Sequence, residues 1–372
     1  MKMKRTISWG SLIAGFLVLV LMVSGLAGCK AASAASASDK PYYKGKVIRI
    51  MVGSFPGGGD DTVARLVSRH LGRHIPGNPA IVIRNIPAGG GIINGNTAWA
   101  SKADGLTILA VGGKELISNI LRPKGTEYRL EEGYPIYAEP NGCVYFVKPG
   151  MVKEPKDIVK AKGLVYGGSD PTAGPPSGFF WAKELLGFQT DRIIMGYGGD
   201  APSRLAFISG ETNFCGQSTA GYHAGMTAYV EKGEAVVVFQ SGLLDAKGDV
   251  VKESAAPNVP TIKELYEQIF GKAPAGLAWD AFAMLIGTRT VGKSQVLPPQ
   301  TPKQCVEIVT KAAVEMTKDP KFLEEAERLS PGAPRLAGKD LIEPYRLGVS
   351  GRPEVIQYMK KVYSEKYNMR FD

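Results

Sequence analysis

Two glycine runs, Gly57–Gly59 and Gly89–Gly91, each fall where a strand-like segment gives way to a helix-like one. Backbone N–H groups at such turns face an anion at the helix N-terminus, so each run is a candidate anion cradle. Asp60 and Asp61 follow the first run and limit what it holds. Two buried carboxylates beside a polyphosphate repel it by on the order of several kcal/mol. The motifs agree with that exclusion. The first loop has neither the lysine nor the spacing of a P-loop. The second runs Gly89, Gly91 and then Asn94, one residue short of a dinucleotide fingerprint. Two adjacent walls of N–H donors suit a small carboxylate.

Catalytic sets are thin. The histidines are His70, His74 and His223. His70 and His74, four apart on one helix, make half a metal site, but HExxH and a third ligand are missing, so no metal is expected. Ser218, in GQSTAG, lacks the second glycine of a nucleophile elbow. Asp170, Asp200 and Asp280 pair only on paper. Phe179, Trp181 and Trp279 suit core or hinge packing as well as ligand stacking. No cofactor and no catalytic residue is expected.

The elements that position these loops read as an α/β chain. Val47 to Val52 is a strand, and from Asp60 apolar residues recur at helical spacing, with Asp60 or Asp61 as N-cap. AIVIRN is a second strand, Ile92 to Lys102 a helix and LTILAVGG a third strand. This alternation implies a parallel sheet under helices. The rhythm returns in GLVYGGSD, a helix from Ser177 to Leu186 closed by Gly187, RIIMGYGG, and a helix capped by Asp200 and ended by Gly210. NFCGQS, a helix from Ala220 to Lys232, and the strand AVVVFQSG complete a second unit, roughly Cys143 to Gly271. Beyond it, AWDAFAMLIG reads as a strand, LPPQTP as a turn, and two long helical runs end the chain.

The N-terminus predicts export. Lys2, Lys4 and Arg5 precede the apolar run Leu12 to Leu21 and then VSGLAGC, the layout of a cleaved leader. Leu26-Ala27-Gly28-Cys29 resembles a lipobox, which makes Cys29 the lipidated first residue of the mature chain, leaving residues 29–45 as a flexible tether. The competing reading, an uncleaved anchor, has a short apolar core for a membrane span. The formal charge of +10 becomes +7 once the leader is removed. Its scattered basic residues lack the aromatic interleaving of a nucleic-acid surface, so no nucleic acid is expected. Cys143, Cys215 and Cys305 make no disulfide framework. A Cys143–Cys215 bridge and free buried thiols both stand, the second being the simpler.

The stretch IRIMVGSFPGGGDDTVARL, followed by NIPAGGG, ADGLTIL, GYGGDAPSRLAFISGETN, VPTIKELY and LPPQTPKQCVEIVTKA, resembles the substrate-binding receptors of tripartite tricarboxylate transporters, the Bug or TctC family. The resemblance runs to about Ala333. It implies a two-domain, type II periplasmic-binding-protein architecture of the venus-flytrap kind, with helix-covered sheets and a hinge. Residues 46–142 with 272–372 would form one domain and residues 143–271 the other. It implies a carboxylate in the cleft, a lipid-anchored monomer outside the cytoplasm, and membrane subunits of a transporter as partners. By motif position the first loop contributes Phe55, Pro56, Gly57, Gly58 and Gly59, and the second Ala88, Gly89, Gly90 and Gly91. The family's conserved acid falls on Asp61, and Asp60 stands where the family has threonine.

The family's serine-rich loop ending in histidine is here GGSDPTAGPPSGFF, without the histidine. Ser169, Thr172 and Ser177 are the expected contacts there, with Ser177 at a helix start meeting a second carboxylate. Tyr197, Asp200, Gln217 and Ser218 lie on later loops of the same kind. As an N-cap, Asp61 turns back on its helix and leaves the glycine N–H groups to the ligand. Asp60 is freer to meet an amine, a hydroxyl or water. An exported enzyme on a similar scaffold, or a receptor signalling to a membrane kinase, are the alternatives.

Overall fold

Each glycine loop named above leaves the same edge of one sheet. The computed structural model describes residues 40–245, 248–254 and 256–371, and the residues from Tyr43 onward form one compact unit. The leader, Cys29 and most of the tether lie outside the described residues.

The first sheet is built from β1 (Val47–Val52), β2 (Ala80–Asn85), β3 (Thr107–Val111) and β4 (Tyr134–Glu139). The second contains β5 (Cys143–Val147), β6 (Val165–Gly167), β7 (Arg192–Ile194), β8 (Phe214–Ser218) and β9 (Val236–Gln240). A short ladder joins β10 (Leu243–Leu244) to β11 (Val250–Val251). Then β12 (Lys293–Leu297) and β13 (Leu336–Ala337) return to the first sheet, whose order is β13-β4-β12-β3-β1-β2. The second is ordered β7-β6-β8-β5-β9.

The helices are α1 (Gly59–Leu71), α2 (Ile92–Trp99), α3 (Gly113–Leu121), α4 (Gly174–Leu186), α5 (Asp200–Ser209), α6 (Thr219–Gly225) and α7 (Thr227–Glu231). They continue with α8 (Ile262–Phe270), α9 (Leu277–Thr290), α10 (Lys303–Met316), α11 (Pro320–Leu329), α12 (Lys339–Gly348) and α13 (Pro353–Tyr367).

The sheets are mixed rather than parallel. β1 runs parallel to β2 and β3, and β6 runs parallel to β7 and β8. The antiparallel pairs include the strands where the chain changes sheet: β5 is antiparallel to β8 and β9, and β12 to β3 and β4, while β13 is antiparallel to β4 at the sheet edge. Only Pro140–Gly142 separate β4 from β5, too short a connection for a crossover helix.

The segment AWDAFAMLIG is helix α9 and not a strand. Its apolar residues fall on every face, the mark of a helix enclosed by others, and a short apolar run of that kind does not distinguish the two by period. α9 packs on α3, α4, α12 and α13, so it bridges the two sheets. One apolar cluster consequently spans both lobes, from Ile117 and Leu121 of α3 through Phe179 and Trp181 of α4 to Leu285, Met359 and Tyr363. Trp181 is fully buried and its Nε1 donates to Tyr363 Oη at 3.0 Å, while Phe179 stacks on Tyr166. Both aromatics are core. Four helices, not two, end the chain. Met226 interrupts the expected helix from Ala220 to Lys232 between α6 and α7.

Candidate ligand site at the seam of the two lobes

The carboxyl edges of the two sheets face one another, and the helix starts there meet. Gly113, at the start of α3, lies against Gly174, at the start of α4: a Cβ on Gly113 would come within 3.3 Å of the Gly174 nitrogen. Likewise, a Cβ on Gly90 would come within 3.0 Å of Asp170 Oδ2 across the seam.

The first glycine loop is held from inside by Asp61. This side chain is fully buried; Oδ2 accepts from Gly57 N–H at 2.8 Å and Arg65 Nε at 2.7 Å, and Oδ1 accepts from Asn85 Nδ2 at 2.9 Å. Helix α1 begins at Gly59 with Gly58 as N-cap, so neither Asp60 nor Asp61 caps it. The role is still structural, but it is exerted on the loop before the helix. Gly58 N–H donates to Phe55 carbonyl at 3.1 Å, so the amides of Gly57 and Gly58 are spent within the loop and are not left to a ligand. Phe55 and Pro56 stand at its exposed tip. In the second loop Gly89, Gly90 and Gly91 have φ of +58°, +60° and +87°, a run that disfavours any residue with a Cβ. Gly91 N–H turns back to the Ala88 carbonyl at 3.2 Å.

Asp60 is not free. It forms an ion pair with Lys293 Nζ, and both side chains are about nine-tenths buried. Burial opposes ionisation of Asp60, but the charges of Lys293 and Lys114 outweigh it and hold the carboxyl below its ordinary value. Burial likewise opposes the Lys293 ammonium, and Asp60 more than offsets it. Lys114 Nζ donates to the Gly53 carbonyl at 2.8 Å. Beneath both loops lies Glu115, fully buried, whose Oε2 accepts from Gly112 N–H at 3.0 Å and whose Oε1 has no partner. Burial raises its pKa.

On the other lobe, Asp170 accepts Thr172 N–H at 2.8 Å and Thr172 Oγ1 at 2.5 Å, an Asx turn that consumes Thr172. The Ser169 carbonyl accepts Gly196 N–H at 3.1 Å. Asp200 is the first residue of α5 and not its cap, which is Gly199 at φ +136°. Asp200 Oδ2 accepts from Ser218 N–H at 3.1 Å and from Ser218 Oγ, while burial raises its pKa against those bonds. Ser218 in turn caps α6, and Gln217 Nε2 donates to the Asp200 carbonyl at 3.0 Å. Tyr197 Oη turns away to Glu211 at 2.7 Å.

Ser177 sits a turn inside α4, which starts at Gly174, so its amide is spent on Ala173 at 3.0 Å. Its hydroxyl accepts from Arg289 Nη2 at 2.8 Å. No sequence motif points to Arg289 or Lys293. A lone arginine in the apolar run Leu277–Thr290 was the available signal, since charged groups are rarely buried without a task.

No protein-family model and no curated sequence matches this chain. Solved structures do. The periplasmic binding protein BugD aligns with a TM-score of 0.62 at 19% identity, over 89% of this chain and 100% of its own. A protein from R. palustris solved with adipate gives 0.62 at 16% identity, over 88% and 99%. A TctC solute-binding protein from Polaromonas gives 0.58 at 15% identity, over 85% and 99%. The fold is that of the Bug- and TctC-type periplasmic binding proteins.

Within that fold, the Bug/TctC-like first lobe presents the two glycine loops and the second lobe presents the starts of α4, α5 and α6. The structure brings the loops together with Asp60, Ser177, Asp200 and Ser218 near one seam, and leaves Tyr197 and Asp61 bonded elsewhere. Cys143, Cys215 and Cys305 are free and buried. His70 pairs with Glu325 and His74 with Asp319; no metal-binding cluster occurs among the described residues.

Proposed function

We propose that the protein is an extracytoplasmic solute-binding lipoprotein. In this reading it is anchored through Cys29 as a monomer, takes a small organic carboxylate into the seam between its lobes, and presents it to the membrane subunits of a tripartite tricarboxylate-type transporter. The lobes are residues 46–142 with 272–372, and residues 143–271.

One observation carries this reading: the chain follows the Bug/TctC fold along nearly the whole length of those relatives, and cationic side chains converge on the seam where its own two glycine loops stand. The neighbours are binding proteins, and one of them was solved with adipate, a dicarboxylate. Gly59, Gly89 and Gly90 supply amides on one side. The starts of α4 and α5 supply positive dipole ends on the other. A ligand touching both lobes shifts the population toward the closed form that a membrane partner recognises.

The test is calorimetric titration of the full-length chain in detergent with adipate, malate, a tricarboxylate, an aromatic acid and an acidic amino acid. Mass spectrometry then identifies the recovered ligand. Saturable binding of an acid that comes back intact supports the receptor. An acid recovered altered, or no binding across the panel, overturns it.

A further inference from the structure

Arg289 lies 2% exposed near the end of α9, the helix that bridges the lobes. Its Nη2 donates to the Gly174 carbonyl at 3.0 Å and to Ser177 Oγ at 2.8 Å. Its Nη1 lies beside both helix starts, 2.5 Å from where a Cβ on Gly113 would stand and 3.0 Å from one on Gly174. Among the described residues the two neutral oxygens on Nη2 are the guanidinium's only hydrogen-bond partners, and it makes no ion pair.

A buried guanidinium without a counter-charge is unfavourable. The setting here adds to that cost. α3 and α4 direct their positive N-terminal ends at the same spot, and their first-turn amides are not all satisfied within the helix. The acid that feels Arg289 from a distance is Glu253, beyond ion-pair range, and burial pushes its carboxyl up to about 7. Three positive features thus converge where the nearby acids are engaged with other groups, Asp60 with Lys293 and Glu115 with the Gly112 amide, and no described carboxylate pairs with Arg289.

We propose that Arg289 is the anchor for a carboxylate of the solute, received on the guanidinium's Nη1 edge at the paired starts of α3 and α4. The proposal rests on the receptor reading above and deepens it. It moves the decisive contact from the backbone amides of the first glycine loop, two of which are already spent, to a side chain on the bridging helix. A guanidinium presents a planar fork that matches a carboxylate in two parallel bonds, which a lysine does not reproduce. Ser177 is a positioning residue: by holding Nη2 it leaves Nη1 turned to the seam. Because α9 touches both lobes, a solute bound to Arg289 is sensed by both.

The experiment titrates the full-length chain, wild type and Arg289→Met, with whichever acid of the panel binds most tightly, and with its diamide. Each protein's melting temperature is recorded as well. The proposal expects at least a hundredfold loss of affinity in Arg289→Met, no binding of the diamide by wild type, and only partial recovery in Arg289→Lys. Unchanged affinity in a folded Arg289→Met chain overturns the anchor and leaves the receptor standing. No binding of any acid by wild type overturns the receptor and the anchor with it. Should Arg289→Met fail to fold, Ser177→Ala decides: about a tenfold weaker affinity with the melting temperature kept supports the anchor, and unchanged affinity overturns it.

Discussion

Lys293 and Asp60 are 233 residues apart in the chain, and their side chains close an ion pair at the lobe seam, 9% and 11% exposed. The pair joins the first turn of α1 to the first residue of β12, the strand that brings the chain back from the second lobe. Removing one partner leaves the other charged and buried. Lys293→Met is therefore expected to destabilise the fold by about 3–5 kcal/mol, and Asp60→Asn in the same chain to recover most of that loss. Urea unfolding of the three proteins checks this; equal stability of the single and double variants removes the pair as a stabilising link.

The same pair gives a pH dependence of known sign. Asp60 is held below its ordinary 3.8, so its contribution is present above that value and is lost as pH falls through the lowered one. Lys293 is raised above 10.5, so its contribution is complete below that pH and is lost as pH climbs past the raised value. In Asp60→Asn both limbs are expected to flatten.

Glu253 works in the opposite direction. Burial pushes its carboxyl from 4.5 up to about 7 in the folded chain, so between those two values the native state keeps a proton that the unfolded state has lost. Stability should fall across that window by about 3 kcal/mol and stay level above it. Glu253→Gln is expected to abolish the fall and to be the more stable protein at pH 8. Melting curves at pH 4, 6 and 8 measure it, and parallel profiles for the two proteins count against the assignment.

Asp61→Ala removes the buried acceptor of Gly57, Arg65 and Asn85 at once, and with it the three bonds that hold the first loop from inside. The expected cost is about 2–3 kcal/mol, more than a lost helix cap. Solute affinity should suffer less than stability. A variant with normal melting temperature but abolished binding would make Asp61 a ligand contact.

Gly90 combines φ of +60° with a close approach to Asp170 of the other lobe. A β-branched residue there is strained by about 1–2 kcal/mol and its Cβ presses on Asp170. Gly90→Val is expected to weaken solute binding more than tenfold, with a melting temperature a few degrees lower. Wild-type affinity in that variant would take the second loop out of the site.

Much of this architecture is legible locally. Gly187, Gly210 and Gly271 each end a helix in the left-handed conformation, a role glycine takes for want of a Cβ. The strand–glycine–helix rhythm locates both loops correctly, because turn chemistry and apolar period are properties of neighbouring residues. The limit of such reading shows at Leu277–Thr290. An apolar run shows burial but not what encloses it, and the strand assigned there is a helix surrounded by α3, α4, α12 and α13.

Asp60 and Ser177 were visible as candidate contacts, but their partners, Lys293 and Arg289, are 233 and 112 residues away. Whether a polar side chain faces a solute or another part of the same chain depends on which distant group the fold delivers to it. Sequence alone determined the strand–glycine–helix units, the two loops and their common edge. Only the tertiary structure decided that Asp60 is neutralised and Arg289 is not, because the balance of buried charge is set by distances in space that residue order does not contain.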